Sequence, residues 1–230
     1  MSIITISRGS YSHGSEVAEK VAQELGYRCI SRDVLLEVSD EFNVSEIKLT
    51  RAISESPSIL ERYTFGREKY IAYIQAAILE HLRKDNVVYH GFAGHFFVKD
   101  IPHVLKVRII ADMEKRIKCM MDREDVSSKE AASMVKQVDK DRRKWSRKLY
   151  GMDTWDSTLY DLVINIEKIT VDDAVDAICN MVKLKPFQTT PDSQSQMDEL
   201  ALEARKKFEE GHVSSPFFEP IRTSPWRKKK

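Results

Sequence analysis

Apolar positions along the chain switch repeatedly between two periods. Ile3 to Ser7 is a short β-rich run, and from Glu16 the apolar residues Val17, Val21, Ala22 and Leu25 fall at helical spacing until Gly26 stops them. "YRCIS" (27–31) predicts a second short strand and "RDVLLEVSDEFNV" a helix after it. Residues 45–85 predict two or three helices: Ser45 opens one, Pro57 breaks the run, and "REKYIAYIQAAILEHLRK" is long and amphipathic. "NVVYHGFAG" (86–94) and "VLKVRIIAD" (104–112) are buried-strand patterns, the first ending in a glycine-bracketed turn. "MEKRIKCMMDRE" predicts a helix, and 127–151 a basic helical hairpin or lid, with Ser127 or Ser128 as its cap and Glu130 behind it. "YDLVINI" (160–166) is the last strand, and Thr170 caps a closing helix. Strands alternating with helices predict an α/β fold with a mostly parallel sheet covered on both faces, which binds ligands at the carboxyl ends of its strands.

The end of the chain changes character. "KPFQTTPDSQSQ" (185–196) has the composition of a linker, "MDELALEARKKFEEG" that of a short helix, and 212–230 that of a basic tail that is mobile unless it docks on the chain itself or on a partner. The expected organisation is one domain over 1–184, a linker over 185–196 and an appendage over 197–230. The sequence leaves the oligomeric state open.

Charge narrows the class of partner. Thirty-seven Lys and Arg against 36 Asp and Glu leave a net charge of +1, too little for a field that gathers nucleic acid or an anionic membrane. The ligand is then a small molecule held in a site. Cys29, Cys119 and Cys179 are odd in number and lack a C-x-x-C spacing, which argues against a disulfide framework or zinc site. With no long apolar span or leader-like start, a cytoplasmic location is expected.

The chemistry centres on "RGSYSHGSE" (8–16). Gly9 and Gly14 fit G-x-x-x-x-G between a strand and a helix, where inward backbone N–H groups and the helix N-terminus stabilise polyphosphate. The Lys and Ser/Thr that complete such a loop are replaced by Ser15 and Glu16. By itself the stretch also fits an ordinary β–α turn with Ser12 or Ser15 as cap.

Together, "ITISRGSYSHGSEVAEKVAQELGYRCISRDVL", "VVYHGFAGHF", "QVDKDRRKW" and "YDLVINIEKITVDDAVDAI" resemble the cytidylate kinase-like branch of the P-loop nucleoside monophosphate kinases, over about residues 1–184. The resemblance implies a P-loop kinase-type three-layer sandwich on a five-stranded sheet, with a helical acceptor-binding insertion at about 34–85 and a lid at about 127–151. It implies phosphoryl transfer from ATP, with magnesium, to a small acceptor, most naturally a nucleoside monophosphate such as CMP. The alternative is a catalytically degenerate relative that binds nucleotide or another anion as a sensor or interaction module.

On this resemblance the phosphate loop holds Gly9, Ser10, Tyr11, Ser12, His13, Gly14, Ser15 and Glu16, with Arg116 against the donor nucleotide. Relatives carry Lys or Arg at the place of Ser15. The acceptor lies beside Ser31, Arg32 and Asp33, and beside the turn of Gly91, Phe92 and Gly94, where relatives carry an arginine at the place of Phe92. Lid arginines map to Arg142, Arg143 and Arg147, and Asp33 is the expected magnesium ligand.

Physical chemistry points to the same parts. Phosphoryl transfer needs positioning and neutralisation of charge, which a lid rich in arginine provides. Arg8 and Arg32 flank the loop and can supply the missing lysine's charge. His13, His90 and His95 are three histidines that can converge at one sheet edge, although their spacing is no ligand signature. Phe65, Tyr70, Tyr73, Phe92, Phe96 and Phe97 are candidates for a base pocket or for core packing.

Overall fold

The computed structural model describes residues 1–31, 34, 67–91 and 94–212. Its five strands are β1 (Ile3–Arg8), β2 (Arg28–Ile30), β3 (Val87–His90), β4 (Val104–Ile110) and β5 (Leu162–Asn165), in the order β2-β3-β1-β4-β5. Every pair is parallel, with Ile3 aligned to both Val87 and Val104 and Val107 to Leu162. Among the described residues six α-helices surround the sheet: α1 (Gly14–Leu25), α2 (Arg67–Leu82), α3 (Met113–Glu124), α4 (Ser128–Tyr150), α5 (Val171–Met181) and α6 (Pro191–His212).

Both faces of the sheet are dry, which explains why the strands read as unbroken apolar runs rather than alternating ones. Ile4, Ile6, Val88, Leu105, Val107 and Ile109 face α1 and α5 in one core. Ile3, Val87, Tyr89 and Val104 face α2 and α6 in the other. The fold is therefore the expected α/β sandwich of three layers. A third, small cluster of Met120, Ala131 and Val135 joins α3 to α4 and also takes in Tyr11.

Local signals end several helices as the sequence predicts. Gly26 caps α1 at φ 65°, a left-handed conformation that glycine adopts without strain. Ser127 and Glu130 form a reciprocal capping box on α4, as do Thr170 and Asp173 on α5. The 127–151 segment is one continuous helix ending at Gly151 rather than a hairpin.

The stretch expected as a linker is structured. A 3-10 turn covers Lys185–Phe187, and α6 starts at Pro191, ahead of the helix predicted from Met197. Thr190 Oγ1 accepts from the Ser193 amide at 3.2 Å, so Thr190 caps a helix that has proline in its first turn. Met197, Ala201, Ala204 and Phe208 are buried in the α2 core, and the Phe208 and Tyr73 rings lie 5.7 Å apart. Thr189 fastens the approach to α6 by donating from its amide to the Met1 carbonyl at 2.9 Å and from Oγ1 to Asp85 at 2.6 Å. Residues 197–212 are thus docked on the core; the insertion up to Gly66 apart from Val34, and the tail from 213, lie outside the described residues. No described helix is long and apolar enough to cross a membrane.

Candidate active site

At the carboxyl end of β1 the backbone turns sharply. Tyr11 and His13 both take positive φ, 56° and 55°, at places where glycine is the easier residue. Successive turns of this kind point backbone N–H groups to one side, and α1 opens immediately after them. The loop keeps its shape through its own bonds: Gly9 N–H donates to the Ile109 carbonyl at 3.1 Å and Ser12 Oγ to the Gly9 carbonyl at 3.0 Å. Backbone and helix terminus together fit a polyphosphate such as that of ATP.

Arg8 runs directly beneath this loop. A Cβ built on Gly14 would stand 2.6 Å from Arg8 Cβ and 2.9 Å from its Cδ, so glycine is required there for the arginine stem to pass. The guanidinium then reaches His90 at the end of β3, where Nη1 donates to Nδ1 at 2.7 Å. Since arginine has no acceptor, Nδ1 must be the lone-pair nitrogen, and His90 carries its proton on Nε2. A cation thus lies between the phosphate loop and the Gly91–Gly94 turn.

The other half of the loop is tied to the helix pair α3–α4. Arg116 donates from Nε to the Ser10 carbonyl at 2.7 Å and from Nη2 to Ser10 Oγ at 2.6 Å, and it also meets Asp139 of α4. Asp139 accepts from Ser10 Oγ at 2.6 Å as well. Arg116 is buried, so its charge needs this carboxylate. Tyr11 packs into the α3–α4 cluster with the Arg123 guanidinium 6.0 Å over its ring. Ser10 and Tyr11 therefore anchor the loop to α3 and α4, a role their sequence positions did not reveal.

Two of the arginines expected in a lid, Arg143 and Arg147, are held at the far end of α4. Asp153 accepts from Nε of Arg143 at 2.9 Å and from Nη2 of Arg147 at 2.6 Å, and these hydrogen bonds, the Arg143 bond first, hold its carboxyl far below the usual carboxylate range. The Arg143 guanidinium stacks 4.5 Å over the exposed ring of Trp155. Arg142 points outward from the same helix.

On the α2 face, under the same edge, lies a group of side chains that spacing did not single out. Arg108 of β4 is buried, with Nη1 at 3.4 Å from Ser7 Oγ and 3.3 Å from Tyr160 OH. Tyr160 OH donates onward to the Thr154 carbonyl at 3.0 Å. The His95 ring is 5.0 Å from that of Tyr160 and 4.1 Å from that of Phe96. Burial, with Arg108 and Lys106 adding to it, pushes the His95 pKa down to about 3. Gly94 has a packing role here, for a Cβ would collide with Tyr89 Cε1.

The three histidines do not converge. His13 Nδ1 sits 3.0 Å from Glu16, His90 serves Arg8, and His95 is buried among aromatic rings. Among the described residues no group of three His, Cys, Asp or Glu is placed to hold a metal ion. Of the aromatic candidates, Tyr73 and Phe96 are core, and Phe97 packs edge-on against Tyr150 with centroids 5.2 Å apart. Arg32, Asp33, Phe65 and Phe92 lie outside the described residues, while Ser31 and Gly91 directly follow β2 and β3.

Residues 3–168 match the cytidylate kinase-like family. The chain belongs to that family. It is 29% identical over 185 residues to a cytidylate kinase of Ignicoccus hospitalis, spanning 79% of this chain and 99% of the relative. It is 30% identical over 188 residues to a cytidylate kinase of Archaeoglobus fulgidus, spanning 80% and 97%. A crystal structure of an uncharacterized protein from Eubacterium ventriosum shares the fold with a TM-score of 0.62 at 24% identity, over 80% of this chain and all of the other.

Proposed function

We propose that this cytidylate kinase-like protein moves the terminal phosphoryl group of ATP onto a nucleoside monophosphate such as CMP. An oxygen of the acceptor phosphate attacks the γ-phosphorus, the bond to the β–γ bridging oxygen breaks, and ADP leaves. Magnesium bound to the triphosphate would supply further neutralisation of charge on its oxygens.

The observation that carries this reading is the course of Arg8 under Gly14 to His90, 2.7 Å from its Nδ1. A guanidinium between the donor loop and the acceptor turn stands in for the charge that Ser15 lacks. Arg142, Arg143 and Arg147 would complete the neutralisation from the lid, Arg143 and Arg147 after leaving Asp153.

A test is ADP release from ATP and magnesium over a panel of nucleoside monophosphates, paired with calorimetry for ATP. Turnover on one or more of them is expected. Tight ATP binding without turnover on any acceptor would sink the kinase reading and leave the nucleotide-binding alternative. One contact favours that alternative: the Asp139 carboxylate already accepts from the Ser10 amide at 3.4 Å, an anion on a loop N–H.

A further inference from the structure

Two arginines of the site are equally buried, each 8% exposed, yet only one has a carboxylate. Arg116 is paired with Asp139. Arg108 has no acidic partner among the described residues; it meets only Ser7 Oγ, Tyr160 OH and the Tyr160 ring, 5.5 Å below it. A guanidinium withdrawn from water without a counter-ion is costly, and buried charges are as a rule paired. Nη1 alone is engaged, while Nε and Nη2 have no hydrogen bond to the described residues.

The position of Arg108 is set by the sheet. Leu105, Val107 and Ile109 of β4 enter the α1–α5 core, which sends Arg108 to the opposite, α2 face. It lies level with Ser7 of β1, one residue before Arg8. Beside it stands His95, kept uncharged by burial, and the same face of the sheet carries two buried polar atoms without partners among the described residues, His95 Nε2 and Tyr89 OH. Hydroxyls, a neutral imidazole and one fixed fork of N–H donors make an anion site rather than a cation site. A planar guanidinium matches two oxygens of a phosphate better than it matches any neutral group.

We infer that Arg108 holds the phosphate of the acceptor. The ligand class is a phosphomonoester of nucleoside monophosphate size, gripped by Arg108 with Ser7 and Tyr160 at its side. This rests on the acceptor reading above and names the residue that serves it.

The experiment is calorimetry on the full chain, wild type, Arg108→Gln and Arg108→Lys, with CMP, AMP, inorganic phosphate and cytidine as probes and thermal melts as a fold check. Wild type is expected to bind a nucleotide more tightly than cytidine. Arg108→Gln should weaken that nucleotide by roughly tenfold to a hundredfold and leave cytidine and ATP within twofold. Arg108→Lys, which keeps charge but not the fork, should fall between, and it carries the test if the glutamine variant does not fold. Unchanged nucleotide affinity in the variants, an equal loss for cytidine, or a wild type that binds no phosphate-bearing probe would each overturn the inference. ADP release judges the kinase reading separately: Arg108-dependent CMP binding without turnover sinks the reading alone, whereas turnover with an Arg108-independent acceptor KM sinks the inference alone.

Discussion

Arg8 and His90, 82 residues apart in sequence, meet at 2.7 Å with the arginine as donor. The contact ties the end of β1 to the end of β3 across the mouth of the site. Arg8→Gln keeps a donor of similar reach but removes the charge, and is expected to lower kcat/KM for ATP-dependent transfer by about a hundredfold while the melting temperature moves little. ADP release under saturating acceptor measures it. Wild-type turnover in Arg8→Gln would mean that another cation serves the transferred phosphoryl group.

Asp139 joins α4 to the loop through Ser10 and Arg116. Asp139→Ala would leave the buried Arg116 guanidinium without a carboxylate, a change that costs about 3 to 5 kcal/mol where a buried pair is broken on one side. Urea denaturation should show that loss. An Arg116→Met/Asp139→Leu double variant, which removes both charges, should recover much of it. A double variant as unstable as Asp139→Ala would show that the hydrogen bonds to Ser10, rather than the uncompensated charge, set the cost.

Most of the sheet could be read from the chain because its strands are buried on both faces and its helices carry plain stop and cap residues, Gly26, Ser127 and Thr170 among them. What escaped were contacts between distant segments. "KPFQTTPDSQSQ" has a linker's composition, yet Thr190 caps a helix whose Met197, Ala201, Ala204 and Phe208 recur at helical spacing; composition masked a periodicity that was present. Arg8 was legible as a flanking charge, but its path under Gly14 depends on packing. Arg108 was hidden for a different reason. One arginine inside "VLKVRII" reads as a tolerated strand residue, and only the alternation of β4 between its two cores shows which face it serves.

His95 gives the fold a pH dependence. Burial first, then Arg108 and Lys106, hold its folded pKa at about 3, below the 6.5 of an unhindered imidazole. Above pH 6.5 neither state binds the proton and His95 is silent. As pH falls from 6.5 toward 3 the unfolded chain takes up a proton that the folded chain refuses, so stability drops by up to about 1.4 kcal/mol per pH unit. The loss should end near pH 3, where the folded state protonates too. Urea midpoints from pH 7 to 4 should follow this course, with His95→Gln flatter over the same range; identical curves for the two proteins would assign the acid lability elsewhere.

Ser15 stands where the phosphate loop was expected to carry a cation, and it can be tested by restoring that charge. The residue stands in the first turn of α1, beside a Glu16 already engaged by His13 at 3.0 Å and approached by Lys20 at 3.8 Å. Glu16 is therefore already engaged by His13 and Lys20, and a lysine at 15 would be free to face the loop. Ser15→Lys is expected to tighten ATP by about tenfold, roughly 1.4 kcal/mol, if phosphate lies in the loop. If Arg8 has taken over the lysine's charge, the same substitution should also restore much of the turnover lost in Arg8→Gln. Calorimetry reads the first effect and ADP release the second. An ATP affinity that Ser15→Lys leaves unchanged would place the triphosphate elsewhere, and a tightened affinity without rescue would give Arg8 a task apart from the missing lysine's.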